Sequence, residues 1–407
     1  MHDLKLPEFK ITNFREDESG VYIYSLEPVK EKPACPFCGQ KNLHVKARYK
    51  RKVKDMMIYN HGVWLEINSR KFICKSCNET FTEEYDAIAK GSQITKRLAD
   101  HIKTESLIKP FKEVADIYGV SNPHVRRLFD EYIEELDKNR VVTAPKILGI
   151  DEVHLHKMYC CVFVDNGNRT VLDIIPSRNK PDVIKYLKQL PNKENIKCVT
   201  IDMWRGYKSA VNEVIPGVPI VIDKFHVIKE LQKYLDISRK SISNSLDKTN
   251  RINLKHARSL LLYGSENLTQ AQNDKLNEIF KYYPELEMPY LFKEAFRNIY
   301  LSETRAEAED AYDSWIDECK IVGLDVHYGE FIRTVNHWRE EIFNYFDYRY
   351  TNAITESINS HIREIDSSGR GYDFEILRNK LIYGYKIGRK NMYETAEQQR
   401  KRENKGK

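Results

Sequence analysis

The sequence predicts a multidomain α/β protein, with small N-terminal modules ahead of an α/β domain that is interrupted by an all-helical insertion. Three observations carry that prediction. Two C-x-x-C pairs stand near the N-terminus. Residues 93–140 read as helices around a central glycine. From Lys146 on, five short β-rich runs give way to a long polar and aromatic stretch, about 227–345, with no strand signal.

Length and composition set the frame. At 407 residues the chain is too long for one ordinary core and calls for two to four domains. It is 41% hydrophobic and 31% charged, the balance of a soluble globular protein. No apolar run approaches the ~18 residues of a membrane helix, and "MHDLKLPEFK" has no signal-peptide core, so the expected location is cytoplasmic, with no membrane partner. The net charge of +6 is uneven. "KNLHVKARYKRKVK" (41–54) carries seven Lys or Arg and no acid, and residues 386–407 carry eight Lys or Arg against three Glu. Such runs are either solvated surface or contacts for a polyanion. Two separate runs favour the polyanion, because each phosphate neutralised releases counterions.

The first element is the pair of knuckles "CPFCG" (Cys35, Cys38) and "CKSC" (Cys74, Cys77), with 35 residues between them. Four thiolates on two such turns can converge on one tetrahedral Zn²⁺, and the alternating "VWLEINSRKFIC" suits a strand of a zinc ribbon. Redox pairs and two disulfides are the competing readings. A redox C-x-x-C belongs on a βαβ unit, which this segment lacks, so one structural zinc is preferred. The remaining cysteines, Cys160, Cys161, Cys198 and Cys319, fall in apolar or helical runs and read as inert buried residues. Lys50, Arg51 and Lys52 lie inside the ribbon as candidate DNA contacts.

The second element is "FKEVADIYGVSNPHVRRLFDEYI". Val114, Ala115, Tyr118, Val120, Val125, Leu128 and Phe129 fall where two packed helices need apolar residues. Gly119 permits a sharp turn, and Ser121 or Asn122 caps a second helix opened by Pro123. An ordinary helical hairpin shares this pattern. The neighbouring ribbon favours a helix-turn-helix, with His124, Arg126 and Arg127 facing DNA.

The third element is the series "KILGID", "YCCVFVD", "RTVLDIIP", "IKCVTID" and "VPIVID", with amphipathic helices "KPDVIKYLKQL" and "YKSAVNEVI" between the later strands. Three meandering strands followed by alternating helix and strand is the order of a ribonuclease-H-like domain. Strands ending on Asp151, Asp202 and Asp223 place acids in the crevice at the sheet's end. A carboxylate there is costly unless a cation neutralises it, and a divalent metal does so. Two hard cations ~4 Å apart activate an attacking oxygen and stabilise a leaving oxygen at a phosphodiester. A single strand-end Asp is ordinarily a turn residue, and Asp165 and Asp173 are assigned to that class. Asp151 and Asp202, on neighbouring strands, are singled out. "RYTNAITESINSHIREI" is an amphipathic helix with Asn352, Glu356 and Asn359 on one face and Ile354, Ile358 and Ile362 largely on another. Glu356 is its candidate third ligand, with a solvated surface Glu as the alternative.

At this point the chain resembles the ISL-three family of insertion-sequence transposases, members of the DDE group. The resemblance rests on the two knuckles, the helix-turn-helix, and "GIDE", "IDMWRGY", "VIDKFHV" and "TNAITESIN". It implies a catalytic and metal-binding triad of Asp151, Asp202 and Glu356 that takes two Mg²⁺ or Mn²⁺ ions. Asp223 and His226 are implied to support the site or the DNA outside direct ligation, with Asn352 and Asn359 beside them. Trp204, Arg205 and Tyr207 either clamp flanking DNA or pack against the insertion, and Lys224 and Arg363 are further phosphate contacts. The implied partners are double-stranded DNA (terminal inverted repeats and target) and a second copy, as a homodimer or higher on DNA. The implied domains are a zinc ribbon (1–90), a helix-turn-helix (91–142), a ribonuclease-H-like catalytic domain in two parts (143–226 and 351–390), a helical insertion (227–350) and a basic tail (391–407). Two rivals remain: a DNA-binding regulator that has lost its chemistry, and a nuclease that cuts without joining. All three acids are present, which disfavours the regulator.

Overall fold

In the computed structural model, the described residues are 4–29, 32–155, 158–369 and 371–385. The chain divides into two compact units: residues 1–140 joined by the segment from Tyr383 on, and Val141–Ile382. The basic tail expected from residue 391 on lies outside the described residues.

The first unit opens with strands β1 (Phe9–Glu16) and β2 (Tyr22–Pro28). Next comes a long hairpin of β3 (Leu43–Ile58) and β4 (His61–Cys74), then the short β5 (Thr80–Thr82). The sheet order is β1-β2-β4-β3, with β5 also on β4. The basic run is therefore strand β3, mostly exposed, while Val63, Leu65 and Ile67 of β4 are fully buried in the sheet's core with Tyr24 and Val53. Tyr59 and Asn60, both at positive φ, turn the hairpin. The 35-residue gap between knuckles is the length of this hairpin, which is why it exceeds the ~15–20 residues of shorter ribbons.

Three helices follow: α1 (Lys96–Ile108), α2 (Phe111–Tyr118) and α3 (Asn122–Asn139). Gly119 caps α2 at φ 57°, and Ser121 occupies the N-cap of α3 without a side-chain cap bond. Of the apolar residues expected at the helix contact, Val114, Ala115, Tyr118, Val125, Leu128 and Phe129 are buried, while Val120, in the turn, is only half-buried. Lys54 Nζ of β3 donates to the Gly119 carbonyl (2.7 Å), which ties the ribbon to the turn between α2 and α3.

The second unit is built on a sheet of β6 (Ile147–Leu155), β7 (Met158–Asp165), β8 (Thr170–Ile175), β9 (Cys198–Ile201) and β10 (Ile220–Ile222), in the order β10-β9-β6-β7-β8. The first three strands are antiparallel neighbours, whereas β9 pairs parallel to β6 and β10 parallel to β9. Helix α4 (Lys180–Gln189) precedes β9 and α5 (Arg205–Val214) precedes β10, as right-handed crossovers require. The central strands read as near-continuous apolar runs because helices cover both faces. Helix α6 (Lys224–Asn244) leaves β10, capped by Asp223.

Seven more helices span 248–348, and the described residues there contain no strand: α7 (Lys248–His256), α8 (Arg258–Leu262), α9 (Gln270–Tyr282), α10 (Glu287–Ile299), α11 (Arg305–Ile321), α12 (Asp325–His337) and α13 (Arg339–Tyr348). One core runs from the sheet into α10–α13 and includes Trp315, Phe331 and Phe343, while α7–α9 gather a smaller one around Leu254 and Leu276. Asn344 of α13 donates to the Ile220 carbonyl of β10 (2.9 Å). Helices α14 (Ala353–Gly369) and α15 (Phe374–Asn379) then return to the sheet. Asp165 is a turn residue at the end of β7, as expected, whereas Asp173, expected to be one too, lies inside β8. The first caps its turn through Asn168, and the second holds Arg378 of α15 in a bidentate pair.

Candidate active site

In the first unit, Cys35, Cys38, Cys74 and Cys77 come together with their sulfurs all within 4.8 Å, and no disulfide joins them. Cys35–Cys77 and Cys38–Cys74 stand 3.7 and 3.6 Å apart. Tetrahedral ligation at ~2.3 Å requires sulfurs ~3.8 Å apart, so the four thiols fit one structural zinc with no open position. Burial opposes ionisation of Cys74, but amide donors from Cys77 and Ser76 and the neighbouring thiols outweigh it and draw its pKa down to about 6.

The candidate DNA contacts of this unit fall on two surfaces. Lys50 and Lys52 are exposed on β3. Arg51 donates to the Ser92 carbonyl (2.7 Å), and the Ser92 hydroxyl meets His124 Nε2 at 3.3 Å. Burial, with Arg127 nearby, lowers the His124 pKa. On α3, Arg126 is half-buried and Arg127 exposed, paired along the helix with Asp130 and Glu131.

The acids of the second unit are aligned by strand register. In the parallel pair β6/β9, Gly149 lies opposite Thr200, and in β10/β9, Ile222 lies opposite Ile201. One residue past Ile201 and Ile222 are Asp202 and Asp223; two past the Gly149 pairing are Asp151 and Asp202. Asp151, Asp202 and Asp223 thus stand level across three adjacent parallel strands. Asp202 and Asp223 follow the ends of theirs, but Asp151, expected to end its strand, lies inside β6, which continues to Leu155 because β7 pairs with it along that length.

Helix α14 reaches these strands because Gly149 has no side chain. A Cβ there would sit 2.8 Å from Thr355 Oγ1 and 2.9 Å from Asn166 Nδ2. A buried network locks the contact: Asn166 Nδ2 donates to Thr200 Oγ1 (2.8 Å), Thr200 Oγ1 to Asn352 Oδ1 (3.0 Å), and Thr355 Oγ1 to Asn352 Oδ1 (2.6 Å). One turn on, Asn359 Nδ2 donates to Asp151 Oδ2 (2.9 Å), and Glu356 lines the same cleft lobe of about 480 Å³.

The three acids chosen from sequence do not form one tight set. Asp151, Asp202 and His226 offer ligand atoms within 4.8 Å of one another, as do Asp223, His226 and Glu356. His226 thus stands between the two groups. Burial pushes Asp202 up to about 7, with Asp151 adding to it, and also raises Asp151 and Glu356. Burial alone would lower the His226 pKa. The carboxylates of Asp223, Asp151 and Asp202 outweigh it, and the pKa is raised. Asp202 Oδ1 and Asp223 Oδ2 are buried with no hydrogen-bond partner. Desolvated, idle carboxylate oxygens are what a hard divalent cation would satisfy.

The rim holds residues that sequence reasoning did not assemble. Arg178, ahead of α4, pairs with Glu152 and lies between two rings, 4.0 Å from the Tyr159 centroid and 4.6 Å from that of Trp204. Trp204 is 41% exposed, and Arg205 is exposed at the start of α5. Tyr207, weighed as a DNA clamp, is instead fully buried in the core: it begins the inward face of α5 with Ala210 and Val211. Arg363 lines the cleft, and Lys224 is exposed at the start of α6. Only the positive charge of Arg178 was visible in the sequence, since its ring partners come from β7 and the loop after β9.

Comparison with known proteins bears on all three modules. The ISL3 model described as a transposase matches residues 148–381. A model for the zinc-finger of transposase IS204/IS1001/IS1096/IS1165 matches residues 31–77, and one for the helix-turn-helix domain of transposase family ISL3 matches residues 83–133. The chain is 25% identical over 364 residues to the transposase for insertion sequence element IS1001 of Bordetella parapertussis, covering 88% of this chain and 89% of that one. It is also 25% identical over 254 residues to the transposase for insertion sequence element IS1557 of Mycobacterium tuberculosis, covering 55% and 56%. No helix among the described residues is long and apolar enough to cross a membrane.

Proposed function

This chain belongs to the ISL3 family of insertion-sequence transposases, with a zinc ribbon and a DNA-binding helix-turn-helix, and from that premise we propose that it cuts DNA at the ends of its element and joins them to target DNA with a DDE triad of Asp151, Asp202 and Glu356. The observation that carries the reading is the level alignment of desolvated acids across adjacent parallel strands, with α14 bringing Glu356 to them. The sheet order, three antiparallel strands followed by two parallel ones, supports a ribonuclease-H-like catalytic domain, with 227–350 as its helical insertion.

Two divalent ions, Mg²⁺ or Mn²⁺, held by these acids would supply activation of the attacking oxygen and stabilisation of the leaving oxygen. The chain's own residues do the positioning. Asn359 orients the Asp151 carboxylate, and the Asn166–Thr200–Asn352–Thr355 network fixes the helix that carries Glu356. Trp204, exposed beside Asp202, offers a ring to flanking bases, and Arg205 a cation to the backbone. Lys50, Arg51, Lys52, His124, Arg126 and Arg127 bind the terminal inverted repeats. In the first reaction water attacks the phosphorus at the element end and displaces the element's 3′-oxygen, which leaves as a 3′-hydroxyl while the flanking strand keeps a 5′-phosphate. In the second that hydroxyl displaces a bridging oxygen in the target. Neither passes through a covalent enzyme intermediate. Two ends must be held together, which calls for at least a dimer on DNA.

The test incubates the protein with labelled end DNA, a target plasmid and Mg²⁺ or Mn²⁺, alongside Asp202→Ala. Nicking and joined product are expected from the wild type, with loss of both in the variant. Equal nicking by the two proteins would contradict the proposal, and nicking without joining would leave a nuclease.

A further inference from the structure

We infer that Asp223 is itself a metal ligand, so that Asp151 and Asp202 hold one divalent ion and Asp223 and Glu356 hold the other. This rests on the metal-dependent reading of the same site, but it changes the ligand set from three acids to four. Several independent features point to it.

The first is register. Asp223 stands level with Asp202 by the same parallel pairing that brings Asp202 level with Asp151, so the sheet presents three acids in a row. The second is the state of the side chain. Asp223 is only 2% exposed. Its Oδ1 accepts a long N-cap bond from the Phe225 amide (3.4 Å), but its Oδ2 is buried without a hydrogen-bond partner. Capping α6 occupies one oxygen and is usually done at the surface, so it explains neither the burial nor the idle Oδ2. That oxygen faces His226, with Oδ2 3.8 Å from Nδ1, too far for a hydrogen bond.

The third feature is where Glu356 lies. Its tight donor set is Asp223 and His226, whereas Asp151 and Asp202 form theirs with His226 and without Glu356. Glu356 thus completes a site with Asp223. Charge agrees: among the described residues no Lys or Arg forms an ion pair with Asp151, Asp202, Asp223 or Glu356. The charge of four carboxylates balances that of two divalent ions. His226, at the junction, is the nitrogen neighbour of both.

The test counts Mn²⁺ bound to the full-length protein by electron paramagnetic resonance. It also maps backbone scission by Fe²⁺ held in the site, in wild type, Asp223→Asn and Asp202→Asn. Asn keeps the N-cap, so Asp223→Asn is expected to fold and, without Mg²⁺ or Mn²⁺, to melt no lower than wild type. Wild type is expected to bind two Mn²⁺. Asp223→Asn should bind one, with the second weakened at least about 100-fold, since even outer-shell partners are worth 10–100-fold. Its scission near 223 and 356 should vanish while that near 151 and 202 persists, and Asp202→Asn should give the reverse. An Asp223→Asn protein with wild-type count and scission pattern would overturn the inference, as would a wild type that binds a single ion unaffected by this change. Either result would leave the nicking defect of Asp202→Ala intact, so failure here is distinguishable from failure of the transposase reading.

Discussion

Two four-donor clusters sit in this chain, and they are built on opposite principles. The thiol cluster is local: two tight knuckles joined by one hairpin, soft ligands, sulfurs already at the edge length of a zinc tetrahedron, and no open coordination position. The acid cluster is assembled from three adjacent strands and a helix more than a hundred residues away, with hard oxygen donors, idle oxygens and a cleft beside them. The first spends its donors on holding a fold together. The second keeps buried acids unsatisfied in the folded protein, an arrangement suited to chemistry on a bound substrate.

The largest effect expected from this contrast is on the thiol side. Cys74→Ser should leave the ribbon unfolded, since structural zinc contributes ~10–16 kcal/mol in zinc-finger peptides, comparable with a domain's whole stability. Limited proteolysis should show rapid cutting around residues 35–82 while fragments of Val141–Ile382 survive. A ribbon as resistant as wild type would refute the structural role.

On the acid side, Gly149→Ala should separate helix from sheet. The added methyl meets Thr355 and Asn166 at under 3 Å, which costs roughly 1–3 kcal/mol of stability. It should also lower nicking at least ~100-fold, since ångström displacements of catalytic groups have that effect. Thermal melting paired with single-turnover nicking checks both, and wild-type nicking would break the link between Gly149 and the site. Asn359→Ala is gentler. It removes the donor that orients Asp151, and a ~10- to 100-fold loss of nicking is expected with zinc content unchanged.

The smallest effect is on stability against pH in protein that keeps its zinc but lacks Mg²⁺. Asp202 has its pKa raised to about 7 by burial, then by Asp151, so the native state holds a proton that the unfolded chain has released. Stability therefore falls as pH rises from the ordinary carboxylate range through 7. His226 acts in the same direction: its raised pKa stabilises the fold below its ordinary value, and this is lost as pH climbs through the folded value. A melting temperature that drops between pH 5 and 8, and that Mg²⁺ restores at pH 8, is expected. A rise across that window would contradict the assignment of desolvated acids.

The same contrast explains what could be read from the residues alone. Knuckle spacing, the glycine-centred helix pair and the alternation of strand with helix are local patterns, and the elements they predict are present. Asp151 and Asp202 drew notice because an apolar strand run meeting an acid is locally odd, although only the run before Asp202 ends there; β6 continues past Asp151 to Leu155. Glu356 needed the spacing of a polar face on α14, sharpened by family resemblance. What stayed hidden is long-range. Asn359 meets Asp151 across 208 residues. Gly149 reads as a neutral turn former until α14 is seen against it. Asp223 was visible as a strand-end acid, but that register sets it level with Asp202 was not. Tyr207 offered an aromatic ring just after Asp202, but the helical period of α5 turns it inward. The pairing of β2 with β4 was unreadable because parallel neighbours distant in sequence leave no local mark.

The most direct measurement is an anomalous difference map from crystals of the full chain grown with Mn²⁺. Two peaks ~4 Å apart, one against Asp151 and Asp202 and one against Glu356, are the expected result. Well-ordered crystals with no manganese at any of these acids would contradict the proposal that they were gathered to hold metal.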